Sequence, residues 1–215
     1  MHEDLLEGGL IGTDEAGKGD YFGPLVCAAC YLDTRLYDSL LKTSIKDSKK
    51  ISNGRVAVIS EEIKRICPHN IIAIGPEKYN QLYARMKNLN RLLAWAHAKA
   101  IENLLAKVDC SNVLTDKFGN EKLVLGALQE KGKTINLIQE HRAEANPAVA
   151  AASILARAEF LKRLSYLSKE FGINLHPGAG APTDAAIGLY VKKHGIEKLG
   201  LVAKLHFKNT RKFAG

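Results

Sequence analysis

Leu10-Ile11-Gly12-Thr13 is a short apolar run that leads straight into two adjacent carboxylates, Asp14-Glu15, and then into the turn Ala16-Gly17-Lys18-Gly19. A second apolar run, Pro24 to Leu32, follows at hairpin distance. The pattern predicts two antiparallel strands joined by a glycine-rich turn, which sets the acidic pair just past a strand, at the edge of a sheet. Neighbouring anions repel, so an exposed pair there is costly unless a cation lies between them. Taken alone, the pair serves equally well as a turn or helix cap.

The remaining chain supplies the sheet and its cover. Ile71-Ile72-Ala73-Ile74, ended by Gly75-Pro76, reads as a third strand. Ser52 precedes Val56, Ile59, Ile63 and Ile66 at helical spacing, the pattern of a capped amphipathic helix. From Asn88 to Val108 the residues Leu89, Leu92, Leu93, Ala96, Ala100, Leu104 and Leu105 recur with a period of about 3.6. A long helix crossing the sheet is expected, with Trp95 and His97 as packing residues on it. Val113 to Asp116 and Thr134 to Ile138 read as strands four and five, separated by a helical stretch from Glu121 to Glu130. Ala148 to Tyr166 is an Ala- and Leu-rich helix with Phe171-Gly172 as its stop, followed by the loop His176-Pro177-Gly178-Ala179-Gly180. The expected fold class is α/β: a mixed five-stranded sheet flanked by helices, in one domain over residues 1–215, with a C-terminal helical extension from roughly residue 167.

Apolar residues make up 46% of the 215, enough for a packed core. Lys and Arg outnumber Asp and Glu by 31 to 23, for a net charge of +8. That balance suits a polyanionic partner, although a solvated basic surface gives the same number. No apolar stretch approaches the roughly 18 residues of a membrane helix. The opening Met1-His2-Glu3-Asp4 is acidic and lacks the apolar core of a secretory leader, so a cytoplasmic location is expected. Cys27 and Cys30 form a C-x-x-C inside an apolar strand, where they fall on opposite faces as small buried residues rather than metal ligands.

Two further carboxylates extend the acidic pair. Asp116 ends the fourth strand, read as the central parallel strand and next to the first in the expected order, and ligands bind beyond such strand ends. Glu144 falls just after the fifth strand and before the helix opened by Asn146-Pro147. Oxygen-only ligands suit Mg²⁺ or Mn²⁺ rather than zinc. Two such ions about 3.5 to 4 Å apart activate water and stabilise the leaving oxygen in phosphodiester hydrolysis. Gly17-Lys18-Gly19 lets backbone approach a sugar-phosphate closely while Lys18 supplies a point charge, and it lacks the spacing of a P-loop. Asp47-Ser48-Lys49-Lys50 offers a hydroxyl and two cations for a phosphate contact without sequence information, or a solvated loop. The tail His206-Phe207-Lys208-Asn209-Thr210-Arg211-Lys212 suits a phosphate strand or a frayed terminus equally.

At these residues a family pattern appears. Ile11-Gly12-Thr13-Asp14-Glu15-Ala16-Gly17-Lys18-Gly19-Asp20-Tyr21-Phe22-Gly23-Pro24 closely resembles the signature of ribonuclease HIII. Matches continue in order through Asp47-Ser48-Lys49-Lys50, the Tyr79-Asn80 to Trp95-Ala96-His97 stretch, Thr115-Asp116-Lys117-Phe118, Glu144 with Ala150 to Ile154, and Ala203 to Thr210. The resemblance implies a ribonuclease H-like fold and hydrolysis of the RNA strand of RNA–DNA hybrids, leaving 3′-hydroxyl and 5′-phosphate ends. It also implies a catalytic, metal-binding quartet of Asp14, Glu15, Asp116 and Glu144 with Mg²⁺ or Mn²⁺, and contact of Gly17-Lys18-Gly19 with the 2′-hydroxyl-bearing strand near the cut, beside the substrate contact read above for Ser48 and Lys49.

The sister family, ribonuclease HII, usually carries Gly-Arg-Gly and a Gly-Tyr-Gly loop that recognises single ribonucleotides in duplex DNA. Gly17-Lys18-Gly19, Gly178-Ala179-Gly180 and Glu144 in fourth place depart from that pattern. Ribonucleases HIII usually also have an N-terminal, TATA-binding-protein-like domain that grips the hybrid. Here the signature begins at Ile11, the pattern either of a longer protein cut short or of a short form that relies on its basic catalytic face for hybrid binding, and no obligate protein partner is expected. The competing readings are incision at single ribonucleotides and a non-catalytic basic hybrid-binding module.

Overall fold

The computed structural model describes residues 6–41, 53–116, 121–129, 132–141 and 143–213. Ser52, the expected helix cap, and Asp47-Ser48-Lys49-Lys50 lie outside the described residues, as do Lys117 and Phe118. Five strands form one sheet in the order β3-β2-β1-β4-β5. They are β1 (Leu10–Ala16), β2 (Leu25–Leu32), β3 (His69–Ile74), β4 (Asn112–Asp116) and β5 (Asn136–Glu140). β1 pairs with β4 in parallel, Ile11 opposite Val113, Gly12 opposite Leu114 and Thr13 opposite Thr115. β4 pairs with β5 in parallel, with Asp116 opposite Glu140. The expected parallel pairing of β4 beside β1 is thus observed, but β1 rather than β4 is the central strand.

By its Cα packing the chain divides into two compact units. The first comprises residues 1–15, 27–72 and 89–158. Its helices include α1 (Thr34–Leu41), α2 (Asn53–Ile66), α4 (Leu89–Leu105) and α5 (Glu121–Ala127), with α3 (Pro76–Met86) belonging to the second unit. The predicted period holds in α4, which buries Leu92, Leu93, Ala96, Ala100 and Leu104. Ala94, Ala98, Ile101 and Leu104 of this helix share a core with Ile11, Ala29, Val113 and Leu137 of the strands. Trp95 departs from its expected packing role: it is 38% exposed, since the apolar face is already filled by smaller residues.

The fifth strand begins two residues later than the alternation suggests. A Glu102 carboxylate oxygen accepts the backbone N–H of Gln129 at 2.6 Å and of Gly132 at 2.8 Å. This anchor ends α5 at Ala127 and draws Gly132–Thr134 into a 3₁₀ turn, so the strand starts at Asn136.

The last long helix, α6 (Pro147–Phe171), is capped as its sequence suggests: Asn146 Oδ1 accepts the Ala148 N–H at 2.9 Å, and Pro147 fills a position that has no donor to lose. It runs past Tyr166 because no breaker intervenes before Gly172. Its first turn lies directly on β1. A Cβ at Gly12 would fall 2.2 Å from the Ala148 carbonyl carbon and 2.3 Å from the Val149 nitrogen. Only a residue without a side chain permits that approach.

The second unit comprises residues 16–26, 73–88 and 159–215. It holds α3, α7 (Ala181–His194) and the short α8 (Lys208–Arg211). At its centre is Lys204, a fully buried lysine. Its Nζ donates to the carbonyls of Asp20 (2.8 Å), Gly23 (2.8 Å) and Phe22 (3.4 Å), and it lies 5.7 Å from the Tyr79 ring centroid. Burial pulls the Lys204 pKa down to about 7, with the Asp20 charge acting the other way. The tail is tied down rather than frayed, because Thr210 Oγ1 meets Tyr21 Oη at 3.0 Å and Asn209 donates to Ala179 O and Asp184 Oδ1.

Two stability outcomes follow. Gly12→Ala is expected to cost about 3 kcal/mol or more, because the clash is with backbone that has no rotamer to yield. Lys204→Met should cost about 3 kcal/mol by stripping buried carbonyls of their donor. Urea unfolding of the two variants against the parent chain measures both.

Candidate active site

Alternation along β1 decides which way each residue of the acidic segment points. Thr13 and Glu15 share one face, Gly12 and Asp14 the other. The face of Gly12 is the one on which α6 lies, and Asp14 correspondingly has a side-chain hydrogen bond with Ser153 of that helix. The opposite face meets α4. There His97, fully buried, contacts Thr13 Oγ1 through Nδ1 at 3.0 Å and Glu15 Oε2 through Nε2 at 3.2 Å. Asp14 Oδ1 also accepts the backbone N–H of its neighbour Glu15 at 2.8 Å.

Asp116 reaches the same strand ends. Thr13 and Thr115 are register partners in a parallel pair, so Asp14 and Asp116 are the next residues on neighbouring strands and share a face. Asp116 Oδ1 also accepts the Ala143 N–H at 3.3 Å, fastening the Ala143–Ala145 turn that carries Glu144. Asp14, Glu15 and Asp116 are partly buried, and Glu144 is exposed. Among the described residues no three His, Cys, Asp or Glu side chains close tightly enough to cage an ion. What the fold supplies is a row of carboxylates along two parallel strand ends.

The electrostatics of that row are unfavourable without a cation. Burial, opposed by the Ser153 hydrogen bond and reinforced by the charge of Glu15, raises the Asp14 pKa from 3.8 to about 6. Burial also works against a charge on His97, but the Cys27 sulfur and the Glu15 carboxylate outweigh it and push that pKa up to about 10. Burial keeps the Cys27 thiol above its usual value, so the sulfur is neutral near pH 7 and the attraction then comes from Glu15. Adjacent carboxylates, one of them reluctant to ionise, fit a hard divalent cation: its charge would offset the cost of ionising both members of the pair.

The Gly-Lys-Gly turn belongs to the second unit. The Asp20 N–H donates to Gly17 O at 3.4 Å, and Gly17 has φ +88°, with Pro24 O 2.2 Å from where a Cβ would lie. Gly17 is therefore demanded by the turn itself, whereas Gly19 is exposed and a Cβ there would meet nothing within 4 Å. Asp20 Oδ1 accepts the Gly178 N–H at 2.6 Å, and Tyr21 N donates to Gly178 O at 3.0 Å. Ser48 and Lys49, the expected phosphate contacts, lie outside the described residues.

Known proteins share this arrangement of sequence and fold. The sequence profile of the family described as ribonuclease HII matches residues 11–210. Ribonuclease HIII of Protochlamydia amoebophila (strain UWE25) is 44% identical over 205 residues, which span 95% of this chain and 68% of that protein. The chain belongs to the ribonuclease HIII family. Ribonuclease HIII of Chlamydia pneumoniae is 42% identical, over 92% of this chain and 67% of its own length. Among solved structures, Bst-RNase HIII in complex with Mn²⁺ superposes with a TM-score of 0.89 at 31% identity, covering 99% of this chain and 71% of that one. Aquifex aeolicus RNase H3 gives a TM-score of 0.76 at 29% identity, covering 95% and 74%. The α/β sheet described above is accordingly the ribonuclease H-like fold, and the chain is a ribonuclease H enzyme.

Sequence reasoning placed Asp14, Glu15 and Asp116 on their strands but treated His97 as packing. The available signal was a ring with two polar nitrogens on the buried stripe of α4, between Ala96 and Ala98.

The raised Asp14 pKa has a stability consequence. A carboxyl whose folded pKa exceeds its unfolded value favours the fold below about pH 4, and that advantage fades as pH rises through about 6. Metal-free Asp14→Asn protein is therefore expected to be more stable than the parent at pH 8, by up to about 3 kcal/mol, and so to unfold at a higher temperature, while at pH 4 the two should unfold at similar temperatures. Calorimetry with a chelator present measures the difference.

Proposed function

We propose that this ribonuclease H hydrolyses the RNA strand of RNA–DNA hybrids at the C-terminal ends of β1 and β4, where Asp14, Glu15, Asp116 and Glu144 hold Mg²⁺ or Mn²⁺. The observation that carries this reading is the parallel register of β1 with β4, which makes Asp14 and Asp116 neighbours on one face. When bound there, paired divalent ions would activate a water and stabilise the leaving 3′ oxygen, so that the products carry 3′-hydroxyl and 5′-phosphate ends.

The chain's own residues do the rest. Asp14 and Asp116 offer oxygens from a rigid sheet rather than from loops, which limits the reorganisation needed at the reacting phosphate. The Ala143 N–H holds one Asp116 oxygen, so the turn bearing Glu144 and the strand bearing Asp116 are set together. Gly19, with open space around it, admits a sugar edge, and Lys18 beside it favours a phosphate. Ser48 and Lys49 are proposed as further phosphate contacts of the kind that position without reading sequence. The chain's +8 charge supports a nucleic-acid duplex as substrate.

Residues 1–215 are read as one catalytic domain, a reading supported by a family match that runs from 11 to 210. Four cysteines, all unpaired and buried, fit a reducing cytoplasm, and no helix among the described residues is long and apolar enough to cross a membrane.

A cleavage assay with a labelled continuous hybrid and a DNA duplex containing one ribonucleotide, each in Mg²⁺ and in Mn²⁺, tests the reading. Cutting of the continuous hybrid is expected in both metals, with weak incision of the second substrate. Asp14→Asn should lower the rate by about a thousandfold or more, in keeping with loss of several kcal/mol of metal-borne stabilisation. Full activity in that variant refutes the site, efficient incision of the single ribonucleotide favours the ribonuclease HII reading, and metal-independent binding without product favours a hybrid-binding module.

A further inference from the structure

His97 is a fully buried histidine in the middle of an apolar helix face. Packing alone does not call for it. Its neighbours on α4, Leu93, Ala94, Ala96, Ala98, Ala100 and Ile101, fill the core without polar atoms. A buried ring with two nitrogens is costly unless both find partners. Both do: Thr13 Oγ1 at Nδ1 and Glu15 Oε2 at Nε2 come from β1, and the Cys27 thiol of β2 is a further hydrogen-bond partner of the ring.

The chemistry of those partners fixes the arrangement. An ionised carboxylate only accepts, so Nε2 carries the proton and donates to Glu15. Thr13, buried at its own position, can give its hydroxyl proton to Nδ1 or accept from it, so the ring keeps one orientation whichever way that bond runs. Because Thr13 and Glu15 are two apart on β1, the strand's repeat presents both to one imidazole. The result is a bracket: the backbone of β1 sets Thr13, Thr13 sets the ring, and the ring sets one oxygen of Glu15.

Glutamate has a longer stem than the aspartates beside it and more torsional freedom to lose on ordering. We infer that His97 is a positioning residue for Glu15, holding its carboxylate in the orientation in which it meets the divalent ion, with Thr13 fixing the imidazole. The inference rests on the reading of Glu15 as a metal ligand. Outer hydrogen bonds to a ligating carboxylate are worth about 10- to 100-fold in metal affinity.

The test is Mn²⁺ binding to the whole chain, followed by electron paramagnetic resonance without substrate, with cleavage measured against Mn²⁺ concentration in parallel. His97→Leu removes the donor and keeps much of the volume, and His97→Gln restores an N–H at a comparable reach. His97→Leu is expected to weaken Mn²⁺ binding about 10- to 100-fold. The Mn²⁺ concentration for half-maximal cleavage should rise by the same factor while KM for the hybrid is unchanged, and His97→Gln should recover most of the loss. Wild-type Mn²⁺ affinity in His97→Leu, or a glutamine no better than leucine, overturns the inference. Should His97→Leu fail to fold, Thr13→Val takes its place: a several-fold weaker Mn²⁺ affinity is expected, and unchanged affinity counts against the bracket. Glu15→Gln in the same titration separates the two layers. If it leaves Mn²⁺ binding intact, the ligand reading itself fails; if it weakens binding while the His97 and Thr13 variants do not, only the positioning role fails.

Discussion

The parallel pairing of β1 with β4 is the constraint from which the rest of the candidate site derives. Segments a hundred residues apart in sequence are brought into register with Thr13 beside Thr115, and the carboxylates one step further along come out as neighbours. β1 can sit at the centre of the sheet because both of its faces are committed. One is covered by α4 through the Ile11 core, the other by the first turn of α6, pressed onto Gly12. A central strand covered on both sides is rigid, and rigidity is what a constellation of oxygen ligands needs from its scaffold.

The same crowding sets the electrostatic character of the site. Asp14 is buried by the helix that approaches at Gly12 and lies next to another acid, so the fold gives up stability above pH 6 at this point. Such local cost is typical of places where charge is to be met by a ligand rather than by the protein. Glu15, one residue on, points to the other face and finds a histidine there. Two adjacent residues of one kind thus occupy unlike environments, a direct result of strand alternation.

The strand order and the long helices were legible because periodicity survives burial: the α4 stripe and the alternation of β1 and β2 are written in residue types. Asp14, Glu15 and Asp116 were legible because their positions at strand ends follow from those elements. The start of β5 was not, since the side chain that moves it, Glu102, lies on a different helix and takes hold of Gln129 and Gly132 through a tertiary contact. Helix α3 escaped notice although Pro76 stands at its first turn, because Gly75-Pro76 reads first as a strand stop. The polar contacts of His97 were hidden for a related reason. A polar residue on an apolar stripe shows that something unusual is buried, but its partners Thr13 and Glu15 come from a strand more than eighty residues earlier. The grouping of residues 16–26, 73–88 and 159–215 into one unit has no local signature at all, since contacts such as those of Asn80, Lys204 and Asn209 join backbone far apart in sequence.

The Lys204 contacts carry a consequence for how the molecule is made. The carbonyls of Asp20, Phe22 and Gly23 wait for a donor 184, 182 and 181 residues further along. During synthesis the amino-terminal strands emerge long before that lysine, and closing so long a loop is slow compared with forming local helices. The stretch after the acidic pair therefore reaches its final shape only once position 204 has been made, and a polypeptide interrupted before it leaves those oxygens unclaimed.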